Sequence, residues 1–206
     1  MNEDATAADV VTGKPLTLGG SLGRREATGR GVFTVGCEAA KRMGLPIAGA
    51  RIAVQGFGNV DGITALLFVK AGGRLVAFQE HAASLYNGAG IDASASWDHV
   101  QLQGSIMSYA DAETVAADAF WDTPCDVMIP AAMEQEITPA NAQRIQARLV
   151  IEGAKSPTTP EADDILRERN ILVVPDVIAN AGGVTAAFIV VCERILQARA
   201  LRGLSP

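Results

Sequence analysis

The chain carries 206 residues, 49% hydrophobic and 19% charged, so it holds enough apolar material for one substantial core and is no bulk disordered chain. Its net charge of −6 argues against a nucleic-acid-binding surface, which needs a basic patch. Aromatics are only 5% while Ala, Gly and Val abound, a balance that suits a parallel α/β sheet with closely packed helices.

In chain order, residues 1–20 lack periodicity and read as an extended tail, with residues 21–206 as the folded domain. Apolar residues at helical spacing predict a helix over 27–43, stopped by Gly44, Leu45 and Pro46. Strand and helix signals then alternate. They predict a strand at 51–55, a helix at 59–71, a strand at 74–79 and a third strand ending at Met128 and Ile129. Further along come a helix at 138–146, a strand at 149–151, a helix at 159–169, a strand at 171–174 and a long terminal helix at 183–201. Residues 87–126 are the least regular and are expected to hold one or two helices covering the sheet. Short apolar strands alternating with amphipathic helices imply right-handed crossovers, hence a doubly wound, mostly parallel, Rossmann-like sheet.

Cys37, Cys125 and Cys192 are odd in number, far apart and without C-x-x-C spacing, as expected of reduced thiols in a cytoplasmic protein. The acidic start is unlike a signal peptide, and the longest apolar run, 184–192, is too short to span a bilayer. Neither a membrane nor a nucleic acid is expected as a partner.

Residues 52–61 read I-A-V-Q-G-F-G-N-V-D, close to the G-x-G-x-x-G turn that joins a strand to a helix and receives a pyrophosphate. Gly56 would permit the tight turn, Gly58 the close approach of backbone to phosphate, and Phe57, Asn59 and Val60 complete it. Glu80 ends the next strand near the ~20-residue offset at which an acid accepts from a ribose 2′-hydroxyl, favouring NAD over NADP; a surface acid at a strand end is the alternative. Asp61 stands where the third small residue belongs. In a helix's first turn it satisfies the dipole, and it is expected to face the pyrophosphate, repelling it by about 3 kcal/mol at ~5 Å and a dielectric of ~20. Gly62 does not replace the lost glycine, since one residue along a helix turns the side chain by about 100°. Elsewhere His81 and His99 lack nucleophile partners and metal spacing. Asp122, Asp126, Glu134 and Glu136 read as solvated acids.

Residues 12–31, T-G-K-P-L-T-L-G-G-S-L-G-R-R-E-A-T-G-R-G, resemble the entry to the nucleotide domain of hexameric glutamate dehydrogenases, in the Glu/Leu/Phe/Val dehydrogenase family. I-A-V-Q-G-F-G-N-V at 52, I-P-A-A at 129, E-G-A-K-S-P-T-T-P-E-A-D at 152 and V-P-D-V-I-A-N-A-G-G-V at 174 follow in family order and cover most of the chain. The resemblance implies NAD as cofactor and a parent reaction that interconverts L-glutamate with 2-oxoglutarate and ammonia. It implies that Arg24 and Thr28 lie near the nicotinamide and its ribose, Asn59 near phosphate or ribose, and Ala131, Ala132 and Asn180 near the nicotinamide. Read from the residues alone, Thr28 serves equally as a helix cap, Asn59 as a turn residue and Asn180 as a C-terminal turn former.

Three departures from the family pattern shape the expectation. The chain opens a few residues before the nucleotide domain, without the family's G-G-x-K-G segment or the N-terminal domain that holds substrate. After Val184 it continues T-A-A-F-I-V-V-C-E-R-I-L-Q-A-R-A-L-R, which resembles the family's last helix, in place of an S-Y-F-E-W-type helix. Lys155 replaces the asparagine of E-G-A-N-G-P, as a cofactor-side cation or a solvated lysine. The expected function is therefore the NAD-binding domain of a glutamate dehydrogenase, catalytically incompetent alone because hydride transfer needs both reactants positioned. The alternative is a degenerate, non-catalytic module with an association role. Apolar Phe188, Ile189, Val191 and Ile195 on the terminal helix are expected to be exposed and to favour a homo-oligomer.

Overall fold

The computed structural model describes residues 17, 23–56, 58–81 and 83–188, without the side chains of Arg25 and Asn59. Helix α1 (Arg24–Arg42) leads into β1 (Arg51–Gln55), α2 (Asn59–Lys70), β2 (Arg74–Gln79), β3 (Ser84–Tyr86), α3 (Ala93–Gln103) and β4 (Glu113–Val115). A 3-10 turn (Ala117–Asp122) precedes β5 (Val127–Pro130), α4 (Pro139–Ala142), β6 (Leu149–Ile151), α5 (Pro160–Glu168), β7 (Leu172–Val174) and α6 (Asp176–Ala179). Residues 182–188 are helical. The expected tail falls outside the described residues except Thr17, as does the terminal helix beyond 188.

The seven strands order as β4-β3-β2-β1-β5-β6-β7. From β2 to β7 across β1 the pairing is parallel, whereas β3 and β4 add antiparallel strands at one edge. The connections leave β1 in opposite directions, so the sheet's topological switch lies between β1 and β5.

Period-two alternation divides the core. Ile52, Val54, Leu75, Phe78, Val127, Ile129, Leu149 and Ile151 join Val32 and Phe68 on the face covered by α1, α2 and α3. Ala53, Met128 and Val150 point the other way, against Phe120, Trp121, Ala142, Ile145, Ala162 and Leu166. On β2 both Val76 and Ala77 belong to this second face. The cause is a register slip: Ile52 pairs with Leu75 but Ala53 with Ala77, leaving Val76 as an extra residue.

Two sequence expectations require correction. The helix expected over 138–146 stops at Ala142. Asn141 closes a local box there, accepting from the Thr138 backbone N–H at 2.8 Å and donating to the Glu136 carbonyl at 2.8 Å. The chain then turns so that Ile145 is buried and Arg144 reaches Asp118 and Asp122. The irregular region contains α3, as expected, but also β4 and the 3-10 turn, and β3 just before it extends the sheet. Strands of three residues are too short to show alternation, and these owe their form to pairing, β3 with β2 and β4 with β3.

Among the described residues no helix is long and apolar enough to cross a membrane.

Candidate functional site

The carboxyl ends of β1, β5 and β6 are stitched together by backbone bonds. Ala131 N–H donates to the Gln55 carbonyl at 3.0 Å, and the Gly153 and Ala154 amides donate to Pro130 at 2.9 and 3.0 Å. Around this edge the structure gathers most of the residues singled out by sequence.

Gly56 leaves β1 with φ +91°, a left-handed backbone that favours glycine, and its amide donates to the Gln79 carbonyl at 2.8 Å. A Cβ on Gly56 would lie 3.4 Å from the Ala132 Cα, so the turn passes directly beside the end of β5. A Cβ on Gly153 would come within 2.8 Å of the Ala131 Cβ, which packs the ends of β5 and β6 just as closely. Asn180 donates through Nδ2 to the Ala154 carbonyl at 3.3 Å. Arg24 and Thr28 of α1 face Gly183, whose absent Cβ would stand 2.3 Å from the Thr28 Oγ1 and 3.4 Å from an Arg24 guanidinium nitrogen. The Arg24 Nε is buried with no hydrogen-bond partner. Val60 lies in the first turn of α2, its carbonyl accepting from the Thr64 hydroxyl at 2.6 Å. Phe57 and the Asn59 side chain lie outside the described residues. Lys155 is exposed on the loop after β6.

Asp61 corrects the sequence reading. It is buried, 5% exposed, and does not project from the helix toward an incoming ligand. Its carboxylate folds back beneath its own turn, and Oδ2 accepts from the Gly58 backbone N–H at 2.8 Å. That oxygen lies 2.1 Å from where a Gly56 Cβ would be and Oδ1 lies 3.4 Å from a Gly58 Cβ, so the carboxylate fills the glycine cradle. Burial raises its pKa, backbone hydrogen bonds from Gly58, Asp61 and Gly62 work against the rise, and the nearby Glu80 charge adds to it. Gly62 faces elsewhere, as expected: its absent Cβ is replaced by the Trp97 indole edge, which locks α3 onto α2.

Glu80, at the end of β2, accepts from the Ile106 backbone N–H at 3.1 Å through Oε2. It is thus anchored as well as close to the turn. Three polar residues escaped the sequence reading. Gln55 is 3% exposed, donates to Glu136 Oε2 at 2.8 Å, and keeps a buried Oε1 with no partner. Gln79, its register partner, donates to the Ala117 carbonyl at 2.7 Å and also leaves Oε1 unpartnered. Glu152 at the end of β6 accepts from the Asp176 backbone N–H at 2.9 Å and fixes the start of α6; burial raises its pKa. A signal existed in each case, a polar residue closing an apolar strand at the edge where ligands of such sheets bind.

Of the remaining acids Glu134 is exposed, as expected, and the others have partners. Asp126 and Asp122 are held by Arg51 and Arg144, which lower their pKa values, and Glu136 takes the Gln55 amide. His99 stacks edge-on against Tyr109 and contacts the Met107 carbonyl. Among the described residues no cluster of His, Cys, Asp and Glu suits a metal ion.

The family model for Glutamate/Leucine/Phenylalanine/Valine dehydrogenase matches residues 19–198. The NAD-specific glutamate dehydrogenase of Clostridioides difficile is 44% identical over 184 residues, covering 87% of this chain and 44% of that protein. The glutamate dehydrogenase of Thermotoga maritima is 44% identical over 189 residues, covering 91% and 45%. The crystal structure of the hetero-hexameric glutamate dehydrogenase from Thermus thermophilus, in its Leu-bound form, superposes with a TM-score of 0.83 at 32% identity, covering 96% of this chain and 45% of that one. The chain thus spans less than half the length of the relatives it matches.

Proposed function

The chain belongs to the Glutamate/Leucine/Phenylalanine/Valine dehydrogenase family, and on that premise we propose that residues 21–206 are the NAD-binding domain of a glutamate dehydrogenase. The parent reaction is the reversible oxidative deamination of L-glutamate to 2-oxoglutarate and ammonia, with hydride passing to NAD. The observation that supports this reading is the close contact of Gly56 with Ala132, of Gly153 with Ala131 and of Asn180 with Ala154 at the strand ends, with Arg24 and Thr28 set against Gly183.

The site fits such a cofactor at its two ends. The unpartnered Arg24 Nε is a buried donor that needs an acceptor, and beside it Thr28 offers a hydroxyl for a carboxamide. The Asn180 amide, steadied by the Ala154 carbonyl, borders the same space, and the small Ala131 and Ala132 leave room for a flat ring. At the other end Glu80 offers its second carboxylate oxygen to a ribose diol, and its charge disfavours a 2′-phosphate. The middle does not fit as it stands, because Asp61 fills the pyrophosphate turn. Bound here, NAD would supply a hydride acceptor, and Arg24, Thr28 and Asn180 would orient its ring.

Amino-acid substrate must be held against that ring in near-attack geometry. The 206-residue chain by itself is therefore proposed to be catalytically incompetent, L-glutamate and 2-oxoglutarate being ligands of the whole parent enzyme. The free thiols of Cys37 and Cys125 support a cytoplasmic location. Exposed Val177, Ile178, Val184 and Phe188 form apolar surface suited to self-association.

Fluorescence titration of the chain with NADH tests the proposal: saturable binding in the micromolar-to-millimolar range is expected, without glutamate-dependent NAD reduction. A second reading, a degenerate module with little nucleotide binding, is favoured by Asp61 alone. Absence of saturable binding at millimolar NADH selects it.

A further inference from the structure

The Asp61 carboxylate does what a ligand's phosphate does in a glycine turn. A phosphate at such a turn lies where side chains are absent and accepts from the backbone N–H groups that open the helix. Here Oδ2 closes the capping box of α2, at 2.8 Å from the Gly58 nitrogen, and lies 2.1 Å from the position of a Gly56 Cβ. The residue is 5% exposed, so the carboxylate is enclosed by the turn it caps. Glu80 adds a second negative charge close by.

We propose that Asp61 is an internal substitute for the pyrophosphate: its carboxylate occupies the glycine turn, so that the cleft accepts the nucleoside portions of a dinucleotide and discriminates against the phosphates that join them. The inference rests on the nucleotide-site reading above and sharpens it into a ligand class. A ligand with phosphates at the turn meets a carboxylate of like charge that already holds the Gly58 N–H. A ligand without phosphate meets neither obstacle. Dinucleotide binding is then limited in this chain by one side chain.

The test compares the wild-type chain with Asp61→Gly and Asp61→Ala by calorimetry at fixed ionic strength, with NADH, ADP-ribose and adenosine as probes. Removal of the carboxylate is expected to tighten NADH and ADP-ribose by about tenfold or more and to change adenosine by less than about twofold. Two variants guard against a folding defect, which circular dichroism and a cooperative thermal transition would expose in either. Equal NADH dissociation constants in wild type and variants overturn the inference and leave the nucleotide-domain reading standing. Equal tightening of adenosine also overturns it, because the cleft would then have been reshaped generally. Failure of every probe to bind every folded form at millimolar concentration overturns the nucleotide-domain reading itself.

Discussion

Replacing Asp126 by alanine removes the device that fixes the start of the two central strands. Its Oδ2 accepts from the Arg51 backbone N–H at 2.8 Å and from Nε at 3.1 Å, while Oδ1 accepts from Nη2 at 3.0 Å. Arg51 opens β1 and Asp126 immediately precedes β5, so the carboxylate ties the strands that flank the switch point. The two side chains are 42% and 24% exposed, which reduces the ion pair to roughly 0.5 kcal/mol. The backbone N–H bond to a charged acceptor is the larger part, roughly 1.5 kcal/mol, because its loss leaves an amide without its partner. The sum, about 2 kcal/mol, corresponds to a Tm drop of about 4–8 °C in a chain of this size.

The sign with pH follows from the direction of the Asp126 pKa, which the Arg51 hydrogen bonds hold below the ordinary carboxylate value against the opposing effect of burial. A depressed carboxylate stabilises fully above its unfolded pKa, about 3.9, and loses that stabilisation as pH falls through the lower folded value. Urea unfolding of wild type and Asp126→Ala is expected to show a gap of about 2 kcal/mol at pH 7 that narrows as pH drops below about 4. Asp126→Asn, which keeps an acceptor for the Arg51 amide, should lose about half as much. A gap below about 0.5 kcal/mol at pH 7, or one that does not narrow in acid, refutes the reasoning.

Gly182→Ala places a Cβ 2.2 Å from the Ala27 carbonyl oxygen and 3.2 Å from the Gly31 Cα, so backbone must part from backbone. Overpacking of about 1–3 kcal/mol outweighs the helix-propensity gain of about 1 kcal/mol, and thermal melts should show a lower Tm; an unchanged or higher one contradicts the close crossing. Asp61 behaves oppositely to Asp126, since burial raises its pKa. Its carboxylate is easier to keep protonated in the folded state, so wild-type stability relative to Asp61→Asn should improve as pH falls from neutral toward the unfolded value near 3.9. Urea melts across that range check the slope, and a gap moving the other way removes the argument. Burial pushes the Cys125 thiol up to about 12, so a thiol reagent at pH 8 should label it only after denaturation, as peptide mapping would reveal; prompt labelling of the native chain contradicts its burial.

What the sequence disclosed was local. Gly56 and Gly58 announce a strand-to-helix turn because the turn's geometry demands glycine within a few adjacent residues, and β1, β2 and β6 are centred on their apolar runs. The fold class follows from that alternation. The partners of polar side chains were not legible, since Arg51 meets Asp126 across 75 residues and Gln55 meets Glu136 across 81. Nor were β3 and β4, whose strands exist only through pairing. Asp61 was visible as an anomaly, but a residue three positions past a glycine turns inward or outward according to rotamer, and nothing linear distinguishes those outcomes.

The glycines of α1 show how a locally unfavourable choice serves the site. Each costs the helix about 1 kcal/mol relative to alanine, yet all sit where something else needs the space. A Cβ on Gly29 would lie 2.7 Å from the Val60 carbonyl oxygen in the first turn of α2, and one on Gly31 would lie 3.1 Å from the Gly182 nitrogen. At Gly36 the Ile151 Cδ1 stands 2.5 Å from the missing atom. One helix therefore touches the glycine turn through α2, the end of β6 and the helical residues 182–188. Arg24 and Thr28 ride on that same helix, so their distance from the turn is set by backbone contacts rather than by flexible side chains. The frame that carries Arg24 and Thr28 is thus built from backbone contacts, and it includes the turn that the Asp61 carboxylate caps.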